Sequence, residues 1–354
     1  MSSSIRVGVI GYGYATKTFH APLIAGVPGL TLRAMSSSDP AKVLADWPGL
    51  IVEADPQALI ARDDIDLVVV PTPNDTHFPL AKAALEAGKH VVVDKPFTLT
   101  GAEAVELAAL ARRHERVLSV FHNRRWDGDF LSLRDVLAGG RLGRIVQFES
   151  HFDRFRPVVR ARWREQGGPG SGLWVDLGAH LVDQCLQLFG APQAIALDLC
   201  AQRDGAVAND RFHAQLRYAG GLRVLLHASA LAAAPGARFT LHGTRGSYVK
   251  HGLDPQEDAL KAGRRPAAPG VDSDWRLPAE QATLLLADSP ASDALQATSE
   301  PVQAGRYLDY YAALRDAILG RGPNPVPPEE AAEVMRWLDL GLASHEARRE
   351  LAPA

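Results

Sequence analysis

Asp176, His180 and Asp183 stand four and three residues apart in Gly170-Ser171-Gly172-Leu173-Trp174-Val175-Asp176-Leu177-Gly178-Ala179-His180-Leu181-Val182-Asp183. On a helix that spacing stacks all three on one face. An imidazole titrates near neutral pH, so His180 can take a hydroxyl proton as a hydride leaves, with a neighbouring carboxylate orienting its ring. A lone helical histidine is more often an interior residue, and the two flanking acids turn the reading toward a site. These ligand types could also hold a metal, but no third-ligand spacing supports one, and none is expected.

A second chemical group is Lys95, in Asp94-Lys95-Pro96 behind the apolar run His90 to Val93. A lysine at a strand end can hydrogen-bond a substrate oxygen and stabilise its charge as the proton departs. A plain turn lysine is the bland reading. The run ending at Val70 leads into Pro71-Thr72-Pro73-Asn74-Asp75-Thr76-His77. Pro71, Thr72, Asn74, His77, Asp94 and Lys95 are candidates to border a cofactor, with His77, at a helix start, the one that reads most readily as structural.

The first apolar run meets Gly11-Tyr12-Gly13-Tyr14-Ala15-Thr16 and then a helix. Strand, glycine turn and helix are the setting of a dinucleotide fingerprint: Gly11 for the tight turn, Gly13 for close approach to the pyrophosphate, Tyr12 and Tyr14 between and beside them. Thr16 stands where a third Gly or Ala is usual. At the end of the second run an NAD site carries an acid for the ribose hydroxyls. Here Met35 is followed by Ser36, Ser37 and Ser38, with Arg33 and Lys42 nearby. Hydroxyls and basic groups suit a 2'-phosphate, so the expected cofactor is NADP rather than NAD.

The elements that must position these groups are legible as rhythm. Residues 5 to 121 alternate Val- and Ile-rich runs with amphipathic stretches, which predicts strands joined by helical crossovers in a parallel sheet. The spacing gives helices over Thr76 to Ala87 and Thr100 to His114, each starting at a Thr cap, the first ending at Gly88. Beyond 121, runs near 144 to 155, 193 to 202, 209 to 218, 221 to 231 and 237 to 249 follow with little helix between, and Gly220-Gly221 reads as a hairpin turn. That is a mainly antiparallel sheet. Residues 251 to 300 read as an extended excursion with one short apolar run at Leu284 to Leu286, and helices return over Tyr307 to Leu319 and Glu329 to Arg349.

The chain has 354 residues, enough for two domains, drawn here at 1–121 and 122–354. A formal net charge of -3 with basic residues dispersed excludes a phosphate-backbone stripe, so nucleic acid is not an expected partner. Cys185 and Cys200 form no disulfide framework or metal-type spacing. No signal segment or bilayer-length apolar run is seen, and the reading is a cytoplasmic protein without membrane contact.

Taken together, Gly-Tyr-Gly-Tyr-Ala-Thr-Lys-Thr-Phe-His-Ala-Pro from Gly11, Pro-Thr-Pro-Asn-Asp-Thr-His from Pro71, Asp-Lys-Pro from Asp94 and the Asp-x-x-x-His segment resemble the Gfo/Idh/MocA oxidoreductases. The likeness is strongest to NADP-dependent scyllo-inositol dehydrogenases, through Ser36-Ser37-Ser38, His122-Asn123-Arg124-Arg125 and His151-Phe152-Asp153-Arg154-Phe155-Arg156-Pro157. The resemblance implies an α/β protein: an N-terminal Rossmann domain, then an α+β domain with a large, mainly antiparallel open sheet whose outer face builds a homodimer or homotetramer. It implies Lys95, Asp176 and His180 as the catalytic set acting on a small polyol or sugar, a cis Lys-Pro bond, and Asn123, Arg124, Asp153 and Arg154 as further substrate contacts. Asp94 replaces the family's usual Glu. A dinucleotide-sensing regulator and an NAD-using glycosidase are the rival readings.

Overall fold

The apolar runs of the first third become six strands: β1 (Ile5–Ile10), β2 (Leu30–Ser36), β3 (Ile51–Glu53), β4 (Leu67–Val70), β5 (His90–Asp94) and β6 (Leu118–Phe121). They lie in the order β3-β2-β1-β4-β5-β6, every pair parallel. Val7, Val9 and Val68 to Val70 are wholly buried, as strands covered on both faces must be. Strand order reverses between β1 and β4, so ligands are expected at the carboxyl ends there, where the Gly11, Pro71 and Asp94 loops start. The computed structural model describes residues 4–267, 275, 277–289 and 292–353.

The capping signals divide. Thr100 caps Gly101–Arg113 in a reciprocal box with Glu103, as its sequence suggests. Thr76 caps nothing: a 3-10 turn over Asn74–Thr76 precedes the helix His77–Glu86, and the Thr76 hydroxyl turns back to Pro73 O and Thr72.

The second sheet has eight strands: β7 (Ile145–His151), β8 (Ala194–Cys200), β9 (Arg211–Arg217), β10 (Arg223–Ser229), β11 (Phe239–Gly243), β12 (Gly246–Lys250), β13 (Gln281–Ala287) and β14 (Leu295–Pro301). Their order is β14-β13-β12-β11-β7-β10-β9-β8, with β7 and β10 parallel and the other neighbours antiparallel. The turn at Gly220-Gly221 joins β9 to β10 as expected. The run at 237 to 249 is two strands, because the chain reverses between Gly243 and Gly246. The excursion at 251 to 300 is corrected in part: it holds a helix, Gln256–Lys261, and β13 and β14, which extend the sheet edge. Alternating exposed and buried residues in β13 supply the period-2 signal that the Pro- and Asp-rich surroundings masked. Residues 268–274, 276, 290 and 291 of that stretch lie outside the described residues.

The chain forms two compact units that are not contiguous in sequence. The first holds residues 1–126, 255–277 and 306–333; the second holds 127–254, 278–305 and 334–354. A single cut at 121 therefore marks where the first sheet ends, but not where its unit is completed. No helix among the described residues is long and apolar enough to cross a membrane.

Candidate functional site

In the first unit, β1 delivers the chain into Gly11 at φ +87, a left-handed conformation that a side chain rarely adopts. Its N–H donates to Ser36 O at 2.9 Å and lies 3.2 Å from Ser36 Oγ, tying the glycine turn to the end of β2. Gly13 is exposed, and a Cβ there would meet nothing within 4 Å, so its backbone is open to a ligand. Thr16, in the place of a third glycine, is buried and donates to Gly11 O at 2.8 Å, bracing the turn from inside. A π-helical turn, Thr16–His20, follows. The Tyr12 hydroxyl donates to Asp46 at 2.7 Å, and Tyr14 is exposed with its hydroxyl donating to Glu257 at 2.9 Å.

The serine run splits into different jobs. Ser36 is buried behind Gly11; Ser37 closes a turn onto Asp39; Ser38 and the Lys42 side chain stand exposed beyond β2. Arg33 is held by Asp64 at 2.9 Å, so the free basic group of this patch is Lys42 rather than Arg33. Exposed hydroxyl and ammonium groups past β2, with an open glycine backbone past β1, fit a phosphorylated dinucleotide.

The β4 and β5 loops are fastened together from behind. His77 is fully buried, with Nδ1 2.8 Å from Pro96 O and Nε2 2.9 Å from Thr72 O. Burial pushes its pKa down, against the opposing pull of Asp94 and the two carbonyls. It braces the loops, and Asn74 is buried beside it in the first. Pro71 and Thr72 remain half-buried, and Thr72 accepts from Thr76 at 2.6 Å. Asp94 accepts the Lys95 N–H at 2.8 Å, and its other oxygen lies 3.8 Å from His20 Nε2. Burial opposes ionisation of Asp94, but His20, Lys95 and His77 outweigh it and hold the carboxyl below its ordinary value. The Lys95–Pro96 bond is cis. His20 lay unassigned in the glycine segment of the sequence; it is wholly buried, packs on Phe121 with centroids 4.4 Å apart, and sits 2.6 Å from the Tyr311 hydroxyl.

Asn123 and Arg124 occupy a 3-10 turn after β6, both nearly buried. The Arg124 guanidinium pairs with Glu257 at 2.7 Å, and Lys261 joins the same carboxylate at 2.8 Å. Despite burial, Arg124, Lys261 and the Tyr14 hydroxyl draw the Glu257 pKa down to about 2.

In the second unit, Gly172 at φ +90 lies so close to Asn209 that a Cβ would collide with that side chain. Asn209 in turn accepts the Trp174 N–H at 3.0 Å, and buried Trp174 donates from its indole to Leu338 O at 3.1 Å. This anchors a π-helical turn, Trp174–Gly178, that runs into the helix Ala179–Phe189. Asp176 is on the π turn and lines a cavity of about 510 Å³ with Arg154, Arg156, Arg162, Arg164, Arg203, Glu165 and Asn209. Arg164 Nε is 3.5 Å from the Asp176 carboxylate, and Glu165 joins Arg162 and Arg203. His180, 5% exposed, and Asp183, 2% exposed, follow on the helix.

β7 ends at His151, so Asp153 and Arg154 follow that strand rather than lie on it. They part company: Arg154 lines the cavity, whereas the Asp153 carboxylate accepts from the Ser229 N–H at 3.0 Å and faces His151 and His227. Of the cavity arginines, Arg154 is one that the resemblance implied, whereas Arg162, Arg164 and Arg203 lie in segments without periodicity and carry no sequence signal.

Known proteins supply independent findings. Residues 5–122 match the family model for an oxidoreductase NAD-binding Rossmann fold, and 134–352 match that for the family's C-terminal alpha/beta domain. The chain is 56% identical over 354 residues to the uncharacterized oxidoreductase YdgJ of Escherichia coli, covering 100% of both. It is 36% identical to the scyllo-inositol 2-dehydrogenase (NADP+) IolW of Bacillus subtilis, covering 98% of this chain and 96% of that one. A solved oxidoreductase structure from Yersinia pestis superposes with a TM-score of 0.92 at 53% identity, covering 100% of this chain and 98% of that one. The glycine turn, the braced Lys95 loop and these matches over both units agree, and the chain belongs to the Gfo/Idh/MocA family of oxidoreductases.

Proposed function

We propose that this oxidoreductase moves a hydride between NADP(H) and a hydroxyl carbon of a small polyol or sugar, an inositol first among them. When bound, the nicotinamide ring supplies the hydride acceptor or donor. Lys95 donates a hydrogen bond to the reacting oxygen and stabilises the charge that builds there as its proton leaves. His180 takes that proton and returns it in the reverse direction. Asp176 accepts from substrate hydroxyls and so fixes which carbon reacts.

The observation that carries this reading is Asp176 opening into a cavity lined by donors, four residues before His180. Its guanidinium donors suit a ligand rich in oxygen. NADP is supported by Ser38 and Lys42 standing free at the β2 end and by the cofactor in IolW's name. The resemblance also supports a homodimer or homotetramer working in the cytoplasm. Five arginines against Glu165 and Asp176 favour a second reading, a sugar carrying a carboxylate or phosphate.

The test is NADP reduction against a panel of neutral cyclic polyols, sugars and sugar acids. NADPH formation with a neutral polyol and not its acid supports the first reading, and the reverse supports the second. No NADPH formation with any member, in a protein that binds NADPH, removes the proposal.

A further inference from the structure

His151 on β7, His227 on β10 and His213 on β9 are register partners, so three adjacent strands present three imidazoles in one row. Their neighbours Phe148, Ser150, Phe212, Ala214, Leu226 and Ala228 are buried, which places the row on the sheet face opposite the core. At one end of the row sits Asp153, its side chain only 7% exposed. Its two oxygens point at different rings: Oδ2 is 3.6 Å from His151 Nδ1, and Oδ1 is 3.5 Å from His227 Nε2. Those separations are too long for good hydrogen bonds. Groups that converge without bonding one another leave room between them for a cation, whose bonds to nitrogen and oxygen run about 2.0–2.2 Å.

We infer that His151, Asp153 and His227 form a binding site for one first-row divalent cation of the zinc type. One ligand atom from each lies within 4.8 Å of the others, leaving further positions to water. The supporting shell is already built. Glu149 Oε2 lies 3.3 Å from His151 Nε2, the nitrogen turned away from Asp153, and Gln147 donates to the same Glu149 carboxylate. A carboxylate behind a ligating imidazole fixes its tautomer and raises its basicity. The Ser229 N–H, donating to Asp153, fixes the orientation of that carboxylate. The sequence hides this set, because its members are far apart along the chain.

Tag-free protein stripped with EDTA and titrated with Co²⁺ should bind one ion per chain, with visible absorption of a low-coordinate nitrogen and oxygen site, and Zn²⁺ should displace it. His151→Gln and His227→Ala should each weaken binding by about tenfold or more, and Glu149→Gln by about tenfold. His213→Ala, outside the set, should leave it unchanged. Circular dichroism keeps folding separate, and His151→Gln decides alone should His227→Ala unfold. Absence of saturable binding in the parent protein, or binding indifferent to His151→Gln, overturns the inference.

Discussion

The two units solve the placing of reactive groups in opposite ways. In the first, the candidates cluster at or beyond the carboxyl ends of parallel strands, and buried side chains behind the β4 and β5 loops, His77 and His20, hold those loops. In the second, the candidates come from a helix entered through a π turn and from irregular segments, and charged pairs at the cavity wall hold them. Topology therefore fixes where chemistry can happen in a doubly wound sheet. In the mixed sheet it does not, and location depends on individual side chains.

That contrast can be broken experimentally. The largest effects belong to the groups proposed to act on the reacting oxygen: Lys95→Ala should lower kcat by about 10²–10³, and His180→Ala by about 10² or more. Fluorescence titration should show NADPH binding retained in His180→Ala, and unchanged steady-state turnover would strip either residue of its role. Next comes Glu257. Its folded pKa is depressed, so its stabilisation is present above the unfolded value of about 4.3 and is lost as pH falls toward 2. Thermal unfolding between those limits should lose on the order of 3 kcal/mol, and Glu257→Gln should flatten that slope.

His77→Ala should destabilise by roughly 1–3 kcal/mol, through two loop carbonyls left without a partner. It should depress kcat less than Lys95→Ala does; a fall as large as that of Lys95→Ala with no change in Tm would mean that His77 does more than brace. The smallest effect is at the β2 end, where Ser38→Ala with Lys42→Ala should reduce the NADP-over-NAD preference by about tenfold. Calorimetry showing an unaltered ratio would move the phosphate contact elsewhere.

The same contrast explains what could be read from sequence. Glycine turns, Val-rich strands and the Thr100 box are local signals, and they located Gly11, Pro71 and Asp94 at strand ends. Ser36 is buried against the Gly11 amide while Ser38 faces solvent, and the two look alike in sequence. The π turn at Trp174 is invisible to a search for 3.6-residue periodicity, and it puts Asp176 on the π turn and His180 on the helix that follows. Arg203 joins the arginine wall, and the histidine row assembles, only through long-range pairing, which no window of sequence contains.

One feature of the chain path bears on how the molecule is made. Tyr307, Tyr310 and Tyr311 lie in the same unit as β6, where Tyr310 packs edge-on to Phe121 at 4.9 Å. A ribosome that has finished β6 has thus supplied all six strands of the first sheet but not the aromatic lid over its last one. Until synthesis reaches that helix the nascent sheet carries an uncovered apolar flank, a surface that chaperones recognise and that aggregates readily. A fragment cut after β6 should inherit the same flank, so the coenzyme module cannot simply be lifted out of this chain at its apparent end.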